Sequence, residues 1–120
     1  PVTAEDVKFS VEAIRDPKYK ASHRVPYFEN VESIEVVDPK TVRFKMKKKY
    51  FKNLMVLGTE GFNPILPKHI YEDPKAKIPI APIVGSGPYK IEAYNRGKNI
   101  SIIRDPNHWA LNKPGYTGQA

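Results

Sequence analysis

The sequence has 120 residues, enough for one small domain with a single core but not for two. No apolar run approaches the roughly 20 residues that span a membrane, and the absence of cysteine excludes disulfides, cysteine nucleophiles and thiolate metal sites. The net charge of +7 is compatible with nucleic acid, an anionic membrane surface or acidic ligands, and also with a fragment whose parent is acidic elsewhere.

The first predicted element is a helix over residues 3–15. Thr3 is a good N-cap, and Asp6 follows it at the spacing of a capping box. Apolar residues then recur at helical spacing, at Val7, Val11 and Ile14. Pro17 ends this pattern. Residues 17–30 contain prolines and many polar groups, so we predict a loop that can include a turn of helix.

A β-hairpin is predicted next, with strands over residues 31–37 and 41–47. The second strand alternates apolar with polar residues, the pattern of a half-buried strand, with Val42, Phe44 and Met46 on the apolar side. The connecting sequence Asp38-Pro39-Lys40 is typical of a tight turn.

The faces of the two strands predict the register of this hairpin. A two-residue loop would set Glu35 against Phe44, which mixes a polar with an apolar face. A three-residue loop, with Val37 opposite Thr41, gives the pairs Val36 with Val42, Ile34 with Phe44, and Glu35 with Arg43. We predict this second register, with a bulge at the turn.

The remaining predicted elements are short. The spacing of Phe51, Leu54 and Met55 predicts a helix that Gly58 ends. Pro67 can open another short helix through Tyr71. Residues 73–84 are interrupted by prolines and are predicted to be irregular. A second hairpin follows, with strands over 89–94 and 99–104 and a turn at 95–98.

Catalytic chemistry finds little support in the sequence. His23, His69 and His108 lie far apart, with no second ligand one helical turn away, so surface or packing roles are favoured over a metal site. Gly85-Ser86-Gly87 does not match a nucleophile elbow or a phosphate loop, and a glycine turn into the next strand is favoured. We therefore expect no catalytic residues, no metal and no cofactor.

A lysine cluster between residues 45 and 52 includes Tyr50 and Phe51. Basic and aromatic residues together are found in nucleic-acid-binding surfaces, so a small basic nucleic-acid-binding module is an alternative function. A solvated strand face, partly offset by Glu32 and Glu35 on the partner strand, is the favoured interpretation.

Five stretches in order carry a resemblance that covers nearly the whole chain. They are residues 1–10 (PVTAEDVKFS), the hairpin with Asp38-Pro39-Lys40-Thr41-Val42, and residues 64–69 (PILPKH), 85–91 (GSGPYKI) and 104–109 (RDPNHW). Together they resemble the family 5 extracellular solute-binding proteins, the group of oligopeptide-, dipeptide- and nickel-binding proteins of ABC importers. Asp105 and His108 depart conservatively from the family pattern.

The resemblance implies a fold class and a domain organisation. The chain is expected to be an α+β fragment with antiparallel hairpins and short helices, and the parent resembles the periplasmic binding protein-like II fold, an α/β fold with two lobes. The family's greater length implies an internal fragment of the first lobe. Residues 1–84 would mostly form the smaller subdomain, and 85–120 would be strands that return to the main lobe sheet.

The resemblance also implies a function. The parent would be an extracytoplasmic, periplasmic binding component, associated with the membrane through its transporter, that captures a peptide or other small solute between two lobes. Its partners would be that ligand, the ABC permease and the missing second lobe, with no nucleic acid. The family's loop before PILPKH faces the cleft, which makes Thr59, Glu60, Gly61 and Phe62 candidate ligand-binding residues. Tyr27, before the first hairpin, is a weaker candidate.

Overall fold

The computed structural model describes residues 1–58, 64–73, 84–95 and 97–113. The chain divides into two compact units, Pro1–Ala76 and Lys77–Ala120. The first unit contains α1 (Ala4–Arg15), α2 (Val25–Phe28), β1 (Val31–Asp38), β2 (Thr41–Met46), α3 (Asn53–Gly58) and α4 (Lys68–Tyr71), and the second contains β3 (Tyr89–Asn95) and β4 (Asn99–Arg104). Short helices and two antiparallel hairpins confirm the predicted fold class.

Helix α1 begins and ends where the sequence predicts. The backbone N–H of Asp6 donates to the hydroxyl oxygen of Thr3 at 3.4 Å, and the Asp6 carboxylate accepts the backbone N–H of Thr3 at 2.8 Å. This reciprocal pair is a capping box with Asp in place of Glu, and it satisfies amide groups that a helix start leaves unpaired. On the inner face, Val11 and Ile14 are buried in the core.

The core of the first unit includes a residue from the segment that the sequence assigns to a loop. Residues 17–30 contain two short 3-10 turns and the four-residue helix α2, whose last residue, Phe28, is 0% exposed. Phe28 packs with Val11, Ile14 and Val31. An Arg15 guanidinium nitrogen donates to the carbonyl oxygens of Phe28 and Val31, both at 2.7 Å, and so ties the end of α2 and the start of β1 to α1.

The first hairpin has the predicted pairs, but its turn is shorter than predicted. Val36 pairs with Val42, Ile34 with Phe44, and Glu35 with Arg43. The pair nearest the turn is Asp38 with Thr41, so the loop has two residues and the prediction of Val37 opposite Thr41 is wrong. The extra residue is accommodated at Val37, where the register shifts, and this bulge keeps the apolar faces matched.

Helix α3 is confirmed, but the apolar spacing that predicts it does not mark its buried side. Val56 and Leu57 pack against the core. Phe51, Leu54 and Met55, on which the prediction is based, are exposed. The six-residue helix therefore contacts the core through two adjacent residues near its end.

The second unit is built on the predicted second hairpin. Its strands are antiparallel, with Ile91 opposite Ile102 and Tyr94 opposite Ile100, and the register shifts between Ile91 and Ala93. In the turn Gly97 has a φ of +75°, a left-handed conformation that glycine adopts without steric cost.

Replacement of Phe28 tests the core. We expect Phe28→Ala to lower the free energy of unfolding by about 3–5 kcal/mol, because it leaves a cavity among Val11, Ile14 and Val31. Urea titration followed by circular dichroism measures the change. The matched control is Phe51→Ala, at a side chain that is 83% exposed, with an expected effect within about 0.5 kcal/mol. Equal losses in both variants would contradict this assignment of the core.

Candidate functional site

The structure describes one of the five predicted ligand-binding residues, Tyr27, and does not describe the other four. Thr59, Glu60, Gly61 and Phe62 lie outside the described residues, so their role stays a prediction. Tyr27 lies in α2, directly before the buried Phe28, with a side chain that is 52% exposed. The structure does describe the two segments that flank the candidate loop, which are α3 up to Gly58 and the chain from Pro64 onward.

The segment after the candidate loop is fixed to α1 by a buried carboxylate. One oxygen of Asp6 accepts the backbone N–H of Lys68 at 2.8 Å, and the other accepts the backbone N–H and the hydroxyl of Thr3 at 2.8 and 2.9 Å. The Lys68 hydrogen bond is the main cause that lowers the pKa of Asp6 below its usual 3.8, with the Thr3 bonds adding to it against the opposing effect of burial. One side chain therefore caps α1 and holds α4.

A buried serine provides a second attachment one helical turn further along α1. The Ser10 hydroxyl donates to the carbonyl oxygen of Asp6 at 2.6 Å and accepts the backbone N–H of Leu66 at 2.7 Å. Pro64 and Pro67 have no N–H to offer. Of the three amide donors between residues 64 and 68, two are thus bound by α1. An exposed ion pair between Glu5 and the Lys68 ammonium, 3.0 Å apart, adds a smaller contribution.

The segment before the candidate loop is held by paired asparagines. The Asn30 amide nitrogen donates to the Asn53 side-chain oxygen at 2.7 Å and to the Lys48 carbonyl at 2.9 Å. Its side-chain oxygen accepts the Lys48 N–H at 3.1 Å, and its carbonyl accepts the Lys47 N–H at 2.8 Å. Since Asn53 is the first residue of α3, these bonds tie the path toward Gly58 to the start of β1.

These attachments indicate what the flanking structure can do. Both ends of the candidate loop are fixed to the same unit, one by α1 and the other by Asn30 and the core contacts of α3. The described structure therefore fixes the chain on each side of the candidate loop.

Asp6 and Ser10 are the residues that sequence reasoning missed. The capping box accounts for Asp6 by itself, and nothing in the pattern demands a second role. A signal is present all the same, because Asp6 and Ser10 are one helical turn apart and border the apolar face of α1. Polar residues beside a buried face need hydrogen-bond partners from another segment.

In the described parts of the chain, no group of three His, Cys, Asp or Glu residues lies close enough to hold a metal ion. Of the described helices, none has the length and apolar character to cross a membrane. On the hairpin, Lys45 lies 2.8 Å from Glu32 and Arg43 lies 2.9 Å from Glu35, as the solvated-face interpretation expects.

Comparison with known proteins decides the family. The sequence model of bacterial extracellular solute-binding proteins, family 5 Middle, matches residues 1–118. The chain belongs to this family. The match confirms the resemblance carried by the five motifs, and the family is one of binding proteins. Nothing in the comparisons supports the nucleic-acid-binding alternative.

Relatives and solved structures agree with the family. The chain is 31% identical to the peptidoglycan-binding protein YepA of Agrobacterium fabrum, over 98% of this chain and 19% of YepA, and 29% identical to YejA of Escherichia coli K12, over 99% of this chain and 19% of YejA. Among structures, it is similar to the periplasmic oligopeptide-binding protein of an oligopeptide ABC transporter from Thermotoga maritima, with a TM-score of 0.69, 27% identity and coverage of 92% of this chain and 20% of that one. NikZ from Campylobacter jejuni, in complex with Ni(L-His), gives a TM-score of 0.66, 28% identity and coverage of 90% and 21%. The chain thus spans about a fifth of the length of these proteins.

The Asp6 attachment is testable by substitution and pH. Both carboxylate oxygens of Asp6 accept hydrogen bonds, one from Thr3 and the other from Lys68. Asp6→Asn replaces one of these oxygens with an N–H₂ group, which then faces a backbone N–H donor. We expect a loss of about 1.5–3 kcal/mol in unfolding free energy at neutral pH. The folded-state pKa of Asp6 is depressed, so its ionised form stabilises the fold above the unfolded-state pKa, and this advantage is lost as pH falls through the lower folded-state value.

Urea titrations of both proteins, from neutral pH downward, measure this dependence. The difference between wild type and Asp6→Asn should hold down to about pH 4 and shrink below it. Glu12→Gln, at an exposed residue of the same helix, is the matched control and should stay near wild type. A difference that does not change with pH would show that ionisation of Asp6 is not what stabilises the contact.

Proposed function

We propose that this chain is part of the extracytoplasmic solute-binding component of an ABC importer, which captures a peptide or another small solute and delivers it to a membrane permease. The observation that carries the proposal is the family match over residues 1–118. Likeness to an oligopeptide-binding protein and to a protein solved with Ni(L-His) supports a small solute as ligand. The location would be periplasmic or otherwise extracytoplasmic, with the membrane reached through the transporter.

The ligand would contact the loop at Thr59, Glu60, Gly61 and Phe62, with Tyr27 as an additional candidate. The hydrogen bonds of Asn53 before the loop and of Leu66 and Lys68 after it support the proposal, because flanks that are already fixed lose less entropy on binding. Peptide-binding members of the family rely on backbone hydrogen bonds, which tolerate varied side chains. Glu60 supplies a carboxylate that suits a cationic group such as a peptide amino terminus.

Capture would need parts of the protein beyond this chain. The two-lobe mechanism closes a second lobe over the ligand, and closure follows because the ligand binds the closed state better than the open one. In this proposal residues 1–84 are mostly the smaller subdomain and 85–120 are strands that return to the main lobe sheet. The exposed Ile100 and Ile102 of β4 support it, since a sheet face of this kind is normally covered in a complete protein.

The proposed role involves no catalysis. The family is one of binding proteins. His69 lies in α4 and His108 in the second unit, after β4, while His23 lies in a 3-10 turn before α2. None of these positions supplies the nucleophile, base and orienting group that hydrolysis needs together.

Calorimetry with peptides and with the nickel–histidine complex tests the proposal. The family-length protein is expected to bind at least one of these ligands, and this 120-residue chain alone to bind it much more weakly. Micromolar or tighter binding by the isolated chain would contradict the two-lobe account. Absence of binding by the family-length protein to every peptide and chelate tested would contradict the proposed solute class.

The role of Glu60 has its own test in the family-length protein. If Glu60 meets a peptide amino terminus, Glu60→Gln should weaken binding of a free-amine peptide by about tenfold to a hundredfold. Binding of the same peptide with an acetylated amino terminus should not change. Glu92→Gln, which removes one exposed carboxylate from β3, is the control. Equal loss with both peptides would assign Glu60 a structural role instead.

A further inference from the structure

One surface of the first unit combines exposed apolar side chains with lysines that form no ion pair with the described residues. It is formed by residues 47–55 and is called the 47–55 surface below. Phe51 is 83% exposed and Leu54 is 82% exposed, and Met55 is exposed beside them. The next two residues of α3, Val56 and Leu57, pack against the core on the inner side. The apolar side chains therefore point away from the unit that holds them.

The segment's path is well fixed. Asn30 binds both backbone groups of Lys48, and the Asn53 N–H donates to the Tyr50 carbonyl at 3.1 Å. The 47–55 surface is thus built on a backbone that is already fixed before a partner binds.

The charge of this surface has one sign. Between Asp38 and Glu60 the sequence contains no carboxylate. On β2, Arg43 and Lys45 pair with glutamates of β1. The 47–55 surface contains four lysines, Lys47, Lys48, Lys49 and Lys52. In the described parts of the chain, none of them lies within 4.0 Å of a carboxylate.

Cationic and apolar groups are also close to one another. The Lys52 ammonium lies 5.5 Å from the centroid of the Phe51 ring, and the rings of Tyr50 and Phe51 meet edge to face at 5.0 Å. Near an anionic bilayer, lysine ammonium groups bind the lipid headgroups, while aromatic and aliphatic side chains enter the boundary with the acyl chains. Nucleic acid would use the lysines and the rings but has no use for Leu54 and Met55.

We propose that the 47–55 surface docks on an anionic phospholipid membrane, with its four lysines on the headgroups and with Phe51 and Leu54 inserted at the boundary of the acyl chains. Charge complementarity and the adjoining exposed apolar side chains select this partner. The inference is independent of solute capture, since it uses no residue of the proposed ligand loop. It adds a direct lipid contact to a protein of an extracellular family.

Vesicle cosedimentation of the 120-residue chain tests the proposal. We expect binding to phosphatidylcholine vesicles that contain phosphatidylglycerol, and no binding to vesicles of phosphatidylcholine alone. The double variant Lys48→Glu/Lys49→Glu should lower the partition coefficient by about tenfold or more, because each basic residue near an anionic surface contributes severalfold. Phe51→Ser/Leu54→Ser should lower it by about tenfold through lost apolar insertion.

Two controls carry the same changes at other sites. Lys40→Glu/Lys98→Glu makes the same charge change on two turns, and Ile100→Ser/Ile102→Ser removes two exposed apolar side chains of β4. Both should stay within about twofold of wild type, because neither alters the 47–55 surface. Circular dichroism checks that every variant remains folded.

Three results would overturn the proposal. Equal binding to neutral and anionic vesicles would show that charge does not drive binding. If the 47–55 variants lose no more binding than the control variants, the 47–55 surface is not the docking site. If vesicles fail to bind while a single-stranded oligonucleotide binds with the same dependence on Lys48 and Lys49, the surface recognises nucleic acid and the membrane proposal is wrong.

Discussion

The first unit depends on the dual use of one helix. Along its inner face α1 buries Val11 and Ile14 in the core, and along the border of that face it offers Asp6 and Ser10 to a distant segment. The segment at residues 66–68 makes no β-ladder that would satisfy its amide groups, and a buried amide without a partner costs free energy comparable to a lost hydrogen bond. The carboxylate of Asp6 is a strong acceptor because it is charged. It therefore fixes the position of α4 relative to α1.

A second set of hydrogen bonds holds the chain on the other side of the candidate loop. The chain is held at Leu66 and Lys68 on one side of the candidate loop and at Asn53 on the other. The supports on the two sides differ in chemistry, a buried carboxylate and hydroxyl on one and neutral amides on the other. Protonation of Asp6 at low pH would weaken the first support and leave the second intact, so the two ends of the candidate loop are stabilised independently.

The sequence predicts the local elements well because their signals are local. The capping box at Thr3 and the apolar pairing of Ile34 with Phe44 follow from spacing and side-chain type. A bulge at the turn is predicted, but not its place at Val37 beside a two-residue loop, since a longer turn gives the same apolar pairs. Burial of Phe28 depends on packing against α1 and β1, which no local pattern encodes. The candidate loop is predicted only by its position in a family pattern. The hydrogen bonds that hold its flanks join residues far apart in the sequence, so no local pattern predicts them.

The unequal distribution of charge on the first unit follows from where β1 begins. Val31, the first residue of β1, pairs with Met46, so β2 has a partner strand up to that residue and no further. Glu32 and Glu35 on β1 can therefore reach Lys45 and Arg43. Lys47, Lys48 and Lys49 follow the last pair, and the neutral Asn30 binds the backbone of Lys47 and Lys48. The two cations of β2 are thus paired, whereas Lys47, Lys48 and Lys49 form no ion pair with the described residues. The exposed Phe51 and Leu54 lie in the same continuation of the chain.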